Sequence, residues 1–204
     1  MVIYGTEQVS PEVIKINSSA GLAFFIRTIY LKSVQAEHIV INAEFTDEDE
    51  KDIIDAGMCY AAEAKATEYL ARAEQCRFKL TQKLSAKKYE KQYIDAALDY
   101  LESKDYLNDR RFALFWLNDR KLNHAEGRTK LNAELLSRGI KKDDARAALD
   151  DFFAANDEQE LCCRALQKCL RTKKESDKIV RTLLSLGFSY KIIKNAMDSV
   201  SQED

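Results

Sequence analysis

Thr129–Phe152 reads TKLNAELLSRGIKKDDARAALDDF, and Phe78–Leu101 reads FKLTQKLSAKKYEKQYIDAALDYL. Laid over each other 51 positions apart, Leu131 falls on Leu80, Leu135 on Leu84, Ile140 on Tyr89, Ala145 on Ile94, Ala148 on Ala97 and Leu149 on Leu98. Moving forward by 48 positions, the same places are taken by Ile179, Leu183, Phe188, Ile193, Ala196 and Met197. Each skeleton has apolar residues at i and i+4, a break, then apolar residues near i, i+3 and i+4. That is helix, turn, helix, with both stripes facing a common core. Gly139 and Gly187 stand where a helix ends in a left-handed residue, although the first copy has Lys88 there. A further helix precedes each pair, at about 60–73, 109–121 and 158–171. The unit is therefore a three-helix repeat, present three times, over 57–106, 107–155 and 156–204. A triplet of this size buries little alone, so neighbours are expected to stack into an elongated, curved array.

Residues 1–56 have a different character. Val13–Ile16, Leu22–Leu31 and Ile39–Phe45 are rich in Ile, Val, Phe and Tyr, and predict two or three short antiparallel strands separated by 17–21 and 34–38. Thr46 then opens TDEDEKDII, a capping hydroxyl followed by acids that suit a helix N-terminus. The expected fold class is mainly α: tandem three-helix repeats with a small β-containing N-terminal segment.

Composition agrees. Of 204 residues, 46% are hydrophobic and 32% charged, and one Pro with six Gly leaves long helices unbroken. Net charge is −2, but it is uneven. Residues 1–57 hold 4 Lys/Arg against 10 Asp/Glu, a net of −6; the remainder holds 28 against 24, a net of +4. Cys59, Cys76, Cys162, Cys163 and Cys169 form no C-x-x-C and have no His at ligand spacing. Reduced thiols packed as small apolar side chains are the expectation, without zinc site or disulfide framework. The longest apolar stretch near the start, Leu22–Leu31, is about half a membrane span and contains Arg27, so a cytoplasmic protein without membrane insertion is expected.

Catalytic signatures are missing. There is no phosphate loop of the G-x-x-x-x-G-K-[ST] kind, no G-x-S-x-G elbow and no H-E-x-x-H. His38 and His124 lie far apart, one in each compositional region. Asp143 and Asp144 stand where a helix begins, which first-turn electrostatics explains without a metal. No enzyme, no cofactor and no metal site is expected.

The basic residues carry more information. Around the second repeat stand Arg110, Arg111, Arg120, Lys121, Arg128, Lys130, Arg138, Lys141, Lys142 and Arg146. Arg72, Arg77, Lys79, Lys83, Lys87 and Lys88 gather in the first, and Lys168, Arg171, Lys173 and Lys174 at one turn of the third. A mixed-charge solvated face is the plain reading. The functional one is a discontinuous basic strip able to follow a phosphate backbone or an acidic partner. Within YLNDRRFALFWLNDR (106–120), Asn108 reads as a helix cap and Asp109 as its first-turn acid. Phe112, Phe115 and Trp116, at i, i+3 and i+4, are expected to point into the core, with Ala113 and Leu117 extending that arc.

These residues closely resemble the signature of the RecX regulatory family, Tyr-Leu-Asp/Asn-Asp-x-Arg-Phe-Ala and, later, Gly-Pro-x-x-Ile/Leu-x-x-Glu-Leu-x-x-Lys/Arg-Gly-Ile. Tyr106, Leu107, Asn108, Asp109, Arg111, Phe112 and Ala113 match the first part; Gly127, Leu131, Glu134, Leu135, Arg138, Gly139 and Ile140 match the second. Upstream, Arg77, Leu80, Lys83 and Leu84 are similar to a third conserved run of that family, and the likeness extends over about 58–200. Arg128 departs from the family's Pro, Cys76 from its capping Ser and Lys79 from its Glu.

The resemblance implies a cytoplasmic, monomeric, non-enzymatic regulator that binds the RecA–DNA filament and chiefly inhibits ATP hydrolysis and strand exchange in DNA repair. It also implies weak, non-specific binding to single- and double-stranded DNA. Arg77, Lys83, Arg111, Arg120, Lys121, Arg128, Lys130 and Arg138 are the expected contacts with DNA or partner. Two other readings stand beside it: a stand-alone DNA-binding protein or transcription factor, since each repeat holds a helix-turn-helix, and a helical scaffold for another partner. Against the former, no polar recognition helix carries a base-reading set.

Overall fold

The structure is a computed structural model that describes residues 1–19, 21–172 and 175–200. Ala20 in the expected loop 17–21, Lys173 and Lys174 of the expected basic turn, and residues 201–204 of the expected third repeat lie outside them.

Strand β1 (Ile3–Ser10) pairs antiparallel with β2 (Val13–Ser18), which pairs antiparallel with β3 (Phe24–Arg27). The register sets Thr6 opposite Ile16 and Gln8 opposite Ile14, with irregularities at Ile3/Gly5 and Gln8/Ser10. The expectation missed β1, whose polar residues Thr6, Glu7 and Gln8 dilute the apolar signal and lie on an edge. It also placed a strand at Ile39–Phe45. That segment runs as turns, with Asn42 at φ 62 and only a single bridge between Val2 and Glu44. A left-handed residue ends an extended run, so the Ile and Val there mark packing rather than pairing.

Nine helices follow among the described residues: α1 (Asp47–Leu70), α2 (Arg77–Ala86), α3 (Lys91–Ser103), α4 (Asp109–Asn123), α5 (Arg128–Ser137), α6 (Lys142–Ala155), α7 (Glu158–Arg171), α8 (Ser176–Ser185) and α9 (Tyr190–Val200). Thr46 caps α1, its hydroxyl oxygen accepting the Asp49 N–H at 3.2 Å with four acids in the first turn. The helix expected at 60–73 is the latter part of this 24-residue helix. No Gly or Pro at its middle is strong enough to break it; Gly57 is buried against the Phe24 ring.

The chain divides into two compact units. One contains residues 1–73 and 79–107. Its core packs the sheet and α1 with Ile3, Ile16, Ile26, Ile53, Leu80, Leu84, Ile94, Leu98 and Leu101, all essentially inaccessible. At its centre Arg27 donates to the buried Glu63 carboxylate from Nε at 2.8 Å and from Nη2 at 2.5 Å, and the Tyr30 hydroxyl donates to Glu63 at 2.8 Å. That satisfies a charge that would otherwise be costly to bury.

The second unit contains residues 74–78 and 108–204. Its core joins Phe112, Leu117, Leu131, Leu135, Leu149 and Phe152 to Leu161, Leu166, Ile179, Leu183 and Ile193. The apolar positions matched by superposition are thus buried, except Tyr89 and Met197, which are partly buried. The three equivalent turns also share a backbone. Gly139 (φ 78), Gly187 (φ 87) and Lys88 (φ 66) are all left-handed, so Lys88 holds the glycine conformation despite its side chain.

Two contacts recur with the same repeat spacing inside this unit. The Gly127 N–H donates to Leu186 O at 2.8 Å, and the Cys76 thiol, 51 positions earlier, approaches Arg138 O at 3.5 Å. Helix starts are closed in a like manner. The Asp109 carboxylate accepts the Arg77 N–H at 2.7 Å, and the Glu158 carboxylate accepts the Arg128 N–H at 2.8 Å. Each acid opens one triplet and caps the second helix of the triplet before it.

Candidate functional site

Helix α4 begins as its sequence predicts. The Asn108 side-chain oxygen accepts the Arg111 N–H at 2.9 Å, and Asp109 supplies the first-turn acid. Phe112, Ala113 and Leu117 are buried and Trp116 is half-buried, but Phe115 is 61% exposed. At about 100° per residue, Phe112, Ala113, Trp116 and Leu117 share one arc, and Phe115 lies about 130° from its middle. The i+3 spacing from Phe112 placed Phe115 on the core side; the width of the buried arc places it outside.

Two guanidinium groups approach the half-buried Trp116 ring, Arg138 at 4.4 Å and Arg120 at 5.1 Å from its centroid. Arg120 also donates to Glu126 from Nε at 2.5 Å and from Nη2 at 3.1 Å. Lys130 reaches the same carboxylate at 2.9 Å. Glu126 is only 4% exposed, so these two cations neutralise a buried acid. Burial pushes the Glu126 carboxyl up, but hydrogen bonds and charge from Arg120 and Lys130 outweigh it and hold its pKa below the usual value. The pairing pushes the Arg120 pKa up in turn.

The other expected contact residues are positioned as follows. Arg111 donates to Glu74 at 2.8 Å, and Lys121 donates to Asn156 at 2.6 Å. Arg128 donates to Asp150 at 2.6 Å and covers the Phe153 ring at 4.8 Å. Arg138 donates to the Glu134 carboxylate at 2.6 Å and to the Glu134 carbonyl at 2.7 Å. Arg77 opens α2 beneath the Asp109 carboxylate. Of the eight, Lys83 alone belongs to the first unit, where its Nζ lies 4.9 Å from the Tyr69 ring centroid. The structure therefore brings Arg120, Lys130 and Arg138 together around Trp116 and Glu126. It leaves the Arg111 and Arg128 head groups more than 40% exposed, in surface ion pairs.

Sequence reasoning passed over the acids. Glu126 precedes Lys130 by four residues, a spacing that announces a helical ion pair, and it went unused. Asp109 and Glu158 cap residues about thirty positions away, for which no local signal exists. Among the described residues no group of His, Cys, Asp or Glu is arranged to hold a metal ion, and no helix is long and apolar enough to cross a membrane. All five cysteines are free thiols, four of them buried. Burial pushes Cys162 up to about 12 and Cys59 up to about 11, away from thiolate chemistry.

Comparison with known proteins agrees with this architecture. Residues 108–149, from α4 into α6, match the family described as RecX, second three-helix domain. A regulatory protein RecX of Treponema pallidum is 34% identical over 152 residues, spanning 74% of this chain and 93% of the relative. Another, from Clostridioides difficile, is 26% identical over 195 residues, spanning 93% and 91%. The crystal structure of a regulatory protein RecX superposes with a TM-score of 0.75 over 97% of this chain and 98% of its own, at 19% identity. That of RecX from Lactobacillus salivarius gives 0.63 over 71% and 97%, at 21% identity. A triplet model seated on α4–α6 and a relative at 34% identity over nearly its whole length place this chain in the RecX family of regulatory proteins.

Proposed function

We propose that this chain regulates the RecA recombinase by binding the RecA–DNA filament and lowering its ATP hydrolysis and strand exchange. It does so as a cytoplasmic monomer with no chemistry of its own. The observation that carries the reading is the family match over residues 108–149, where Asn108–Ala113 and Gly127–Ile140 hold signature residues. The contacts are Arg77, Lys83, Arg111, Arg120, Lys121, Arg128, Lys130 and Arg138.

Physical chemistry supports two kinds of contact among them. Arg111 and Arg128 sit in exposed ion pairs worth about 0–1 kcal/mol, so either can exchange its carboxylate for a phosphate oxygen or an acidic side chain of a partner at little cost. Arg120 and Lys130 hold Glu126 and present fixed charge instead. A protein that touches several protomers favours whichever filament state offers it the better contacts, and thereby holds the filament in that state. Binding to DNA alone is weak and falls steeply with salt.

The test adds the protein to RecA on single-stranded DNA and follows ATP hydrolysis and strand exchange. Both fall at stoichiometric amounts. No change at several-fold excess rejects the reading, and a protected specific sequence in footprinting would favour a stand-alone DNA-binding protein instead.

A further inference from the structure

Of the cations around Trp116, two are committed to one acid. Arg120 gives Nε and Nη2 to the buried Glu126 carboxylate, and Lys130 reaches the same group. Arg138, at the end of α5, is different. It donates from Nη1 alone, to the Glu134 carboxylate, to the Glu134 carbonyl and, at 3.4 Å, to the Ser137 hydroxyl. Among the described residues its Nε and Nη2 meet no acceptor. Three cations thus stand against two carboxylates, and the charge left over lies at that open edge. The Trp116 ring, its centroid 4.4 Å from the guanidinium carbon, also holds the head group. We infer that Trp116 is a positioning residue for the filament contact: it sets Arg138 so that the Nε–Nη2 edge receives a single carboxylate from the protein partner.

Three considerations select that occupant. The Nε–Nη2 edge of a guanidinium matches the two oxygens of a carboxylate and binds it through parallel hydrogen bonds. Arg120 makes this bond with Glu126, so one arginine shows what the other lacks. Next, Arg138 is restrained before any partner arrives. Its side chain is only 25% exposed and is fastened by Glu134 and the ring, so less freedom is lost on binding. Arg111 and Arg128, by contrast, must first release an acid. Finally, one positive charge is in excess, and the Glu134 carboxylate lies beside it, 32% exposed. A carboxylate supplies one negative charge. A run of phosphates brings further charges against Glu134, and like charges repel.

The assignment rests on the filament reading and names the chemistry of one of its contacts. ATP hydrolysis by RecA on single-stranded DNA is titrated with each variant of the full chain, and thermal melting confirms that each is folded. Arg138→Lys keeps the charge and loses the fork, and is expected to raise the concentration for half-inhibition by about ten-fold. Trp116→Leu removes the ring face and is expected to raise it by about five-fold, whereas Trp116→Phe keeps a ring and raises it by less than about two-fold. Trp116→Leu/Arg138→Lys is expected to do no worse than Arg138→Lys alone, because both act through one guanidinium. Additive losses show a merely structural ring and overturn the assignment. A second readout leaves the ring in place. Trp116 is the only Trp of the chain, so 5-hydroxytryptophan enters at that position alone and is excited selectively in the presence of RecA. Its emission is expected to change when wild type binds the filament and to change much less in Arg138→Lys; no change in wild type overturns the assignment. So does an Arg138→Gln chain whose affinity for a deoxythymidine oligonucleotide, without RecA, falls as far as its inhibition, since a phosphate then occupies the edge. Wild type that leaves RecA unaffected removes the filament reading, whereas inhibition shared equally by wild type, Arg138→Lys and Trp116→Leu overturns this contact alone.

Discussion

Asp109 and Glu158 occupy equivalent places in successive helix triplets, and each carboxylate accepts the N–H that opens the second helix of the preceding triplet, at 2.7 and 2.8 Å. The start of α2 carries Cys76, a poor cap, and that of α5 carries Gly127, with no side-chain bond of its own. A residue far along the chain supplies what the local sequence lacks. Both hydrogen bonds lie within the second unit, and each ties the start of one helix to the first turn of another about thirty residues further on.

That link predicts how the two acids respond to substitution. Asp109→Ala and Glu158→Ala each lose about 1 kcal/mol of stability, measured by chemical denaturation. Asp109→Asn keeps an oxygen acceptor and does not. Burial, only partly offset by the Arg77 N–H and aggravated by Asp144, pushes the Asp109 pKa up. The sign follows: this raised group favours folding most below its unfolded value and loses that contribution as pH rises through the folded one. Asp109→Asn abolishes the titration, so its stability relative to wild type improves from acid to neutral pH.

Glu126 behaves oppositely. Its pKa is lowered, so its contribution is present above the unfolded value and disappears as pH falls through the folded one. Arg120→Ala leaves Lys130 as the remaining cation on a buried carboxylate and costs about 1–3 kcal/mol, the penalty of a charged group left short of partners. Arg111→Ala, in an exposed pair, changes stability by less than about 1 kcal/mol. Thermal melts at neutral pH separate the two. Any effect of Arg120→Ala on the proposed inhibition of RecA must therefore be judged against its melting temperature, whereas Arg111→Ala tests the proposed contact directly.

The three left-handed turns make a contrasting set. A Cβ at Gly187 would meet the Lys130 backbone nitrogen at 2.4 Å, and one at Gly139 would meet the Phe78 side chain at 2.5 Å. Gly187→Ala is expected to cost more than about 2 kcal/mol, through the φ and the clash together. Gly139→Ala costs a comparable amount, because Phe78 Cγ and Cβ are the near end of that side chain and move only with its backbone. Lys88→Gly relieves a left-handed non-glycine residue at an exposed turn and stabilises by about 0.5–1 kcal/mol. Equilibrium unfolding of the three variants checks this: large losses at Gly139 and Gly187 and a gain at Lys88 are expected, and a negligible loss at either glycine would overturn the account of its turn.

Much of this was legible. Leu131, Leu135 and Leu149 and their repeat equivalents announce buried stripes because helical periodicity is local and strong. The caps at Thr46 and Asn108 are legible for the same reason. Strand β1 is not, since an edge strand is held by backbone pairing to β2 and tolerates Thr6, Glu7 and Gln8. The basic residues are legible in kind, but their partners are not. Whether a cation is braced, as Arg120 is by Glu126, or only lightly paired, as Arg128 is by Asp150, depends on how far its acid is buried, and burial is a property of the packed chain.

The aromatic residues of α4 offer the sharpest check on where its core face ends. Phe112 is 5% exposed and packs among Leu117, Leu131 and Phe152; Phe115 projects from the same helix with 61% of its surface accessible. Phe112→Ala removes a buried ring and leaves a cavity, at a cost of about 3–5 kcal/mol. Phe115→Ala shifts stability by no more than about 0.5 kcal/mol, since nothing packed is removed. Denaturant titrations of the two variants decide between the faces. A large loss at Phe115 would return it to the core, as the i+3 spacing alone suggests. A negligible one leaves an exposed ring on the helix that carries Arg111, so that any effect of Phe115→Ala on the proposed inhibition of RecA can be read without correction for folding.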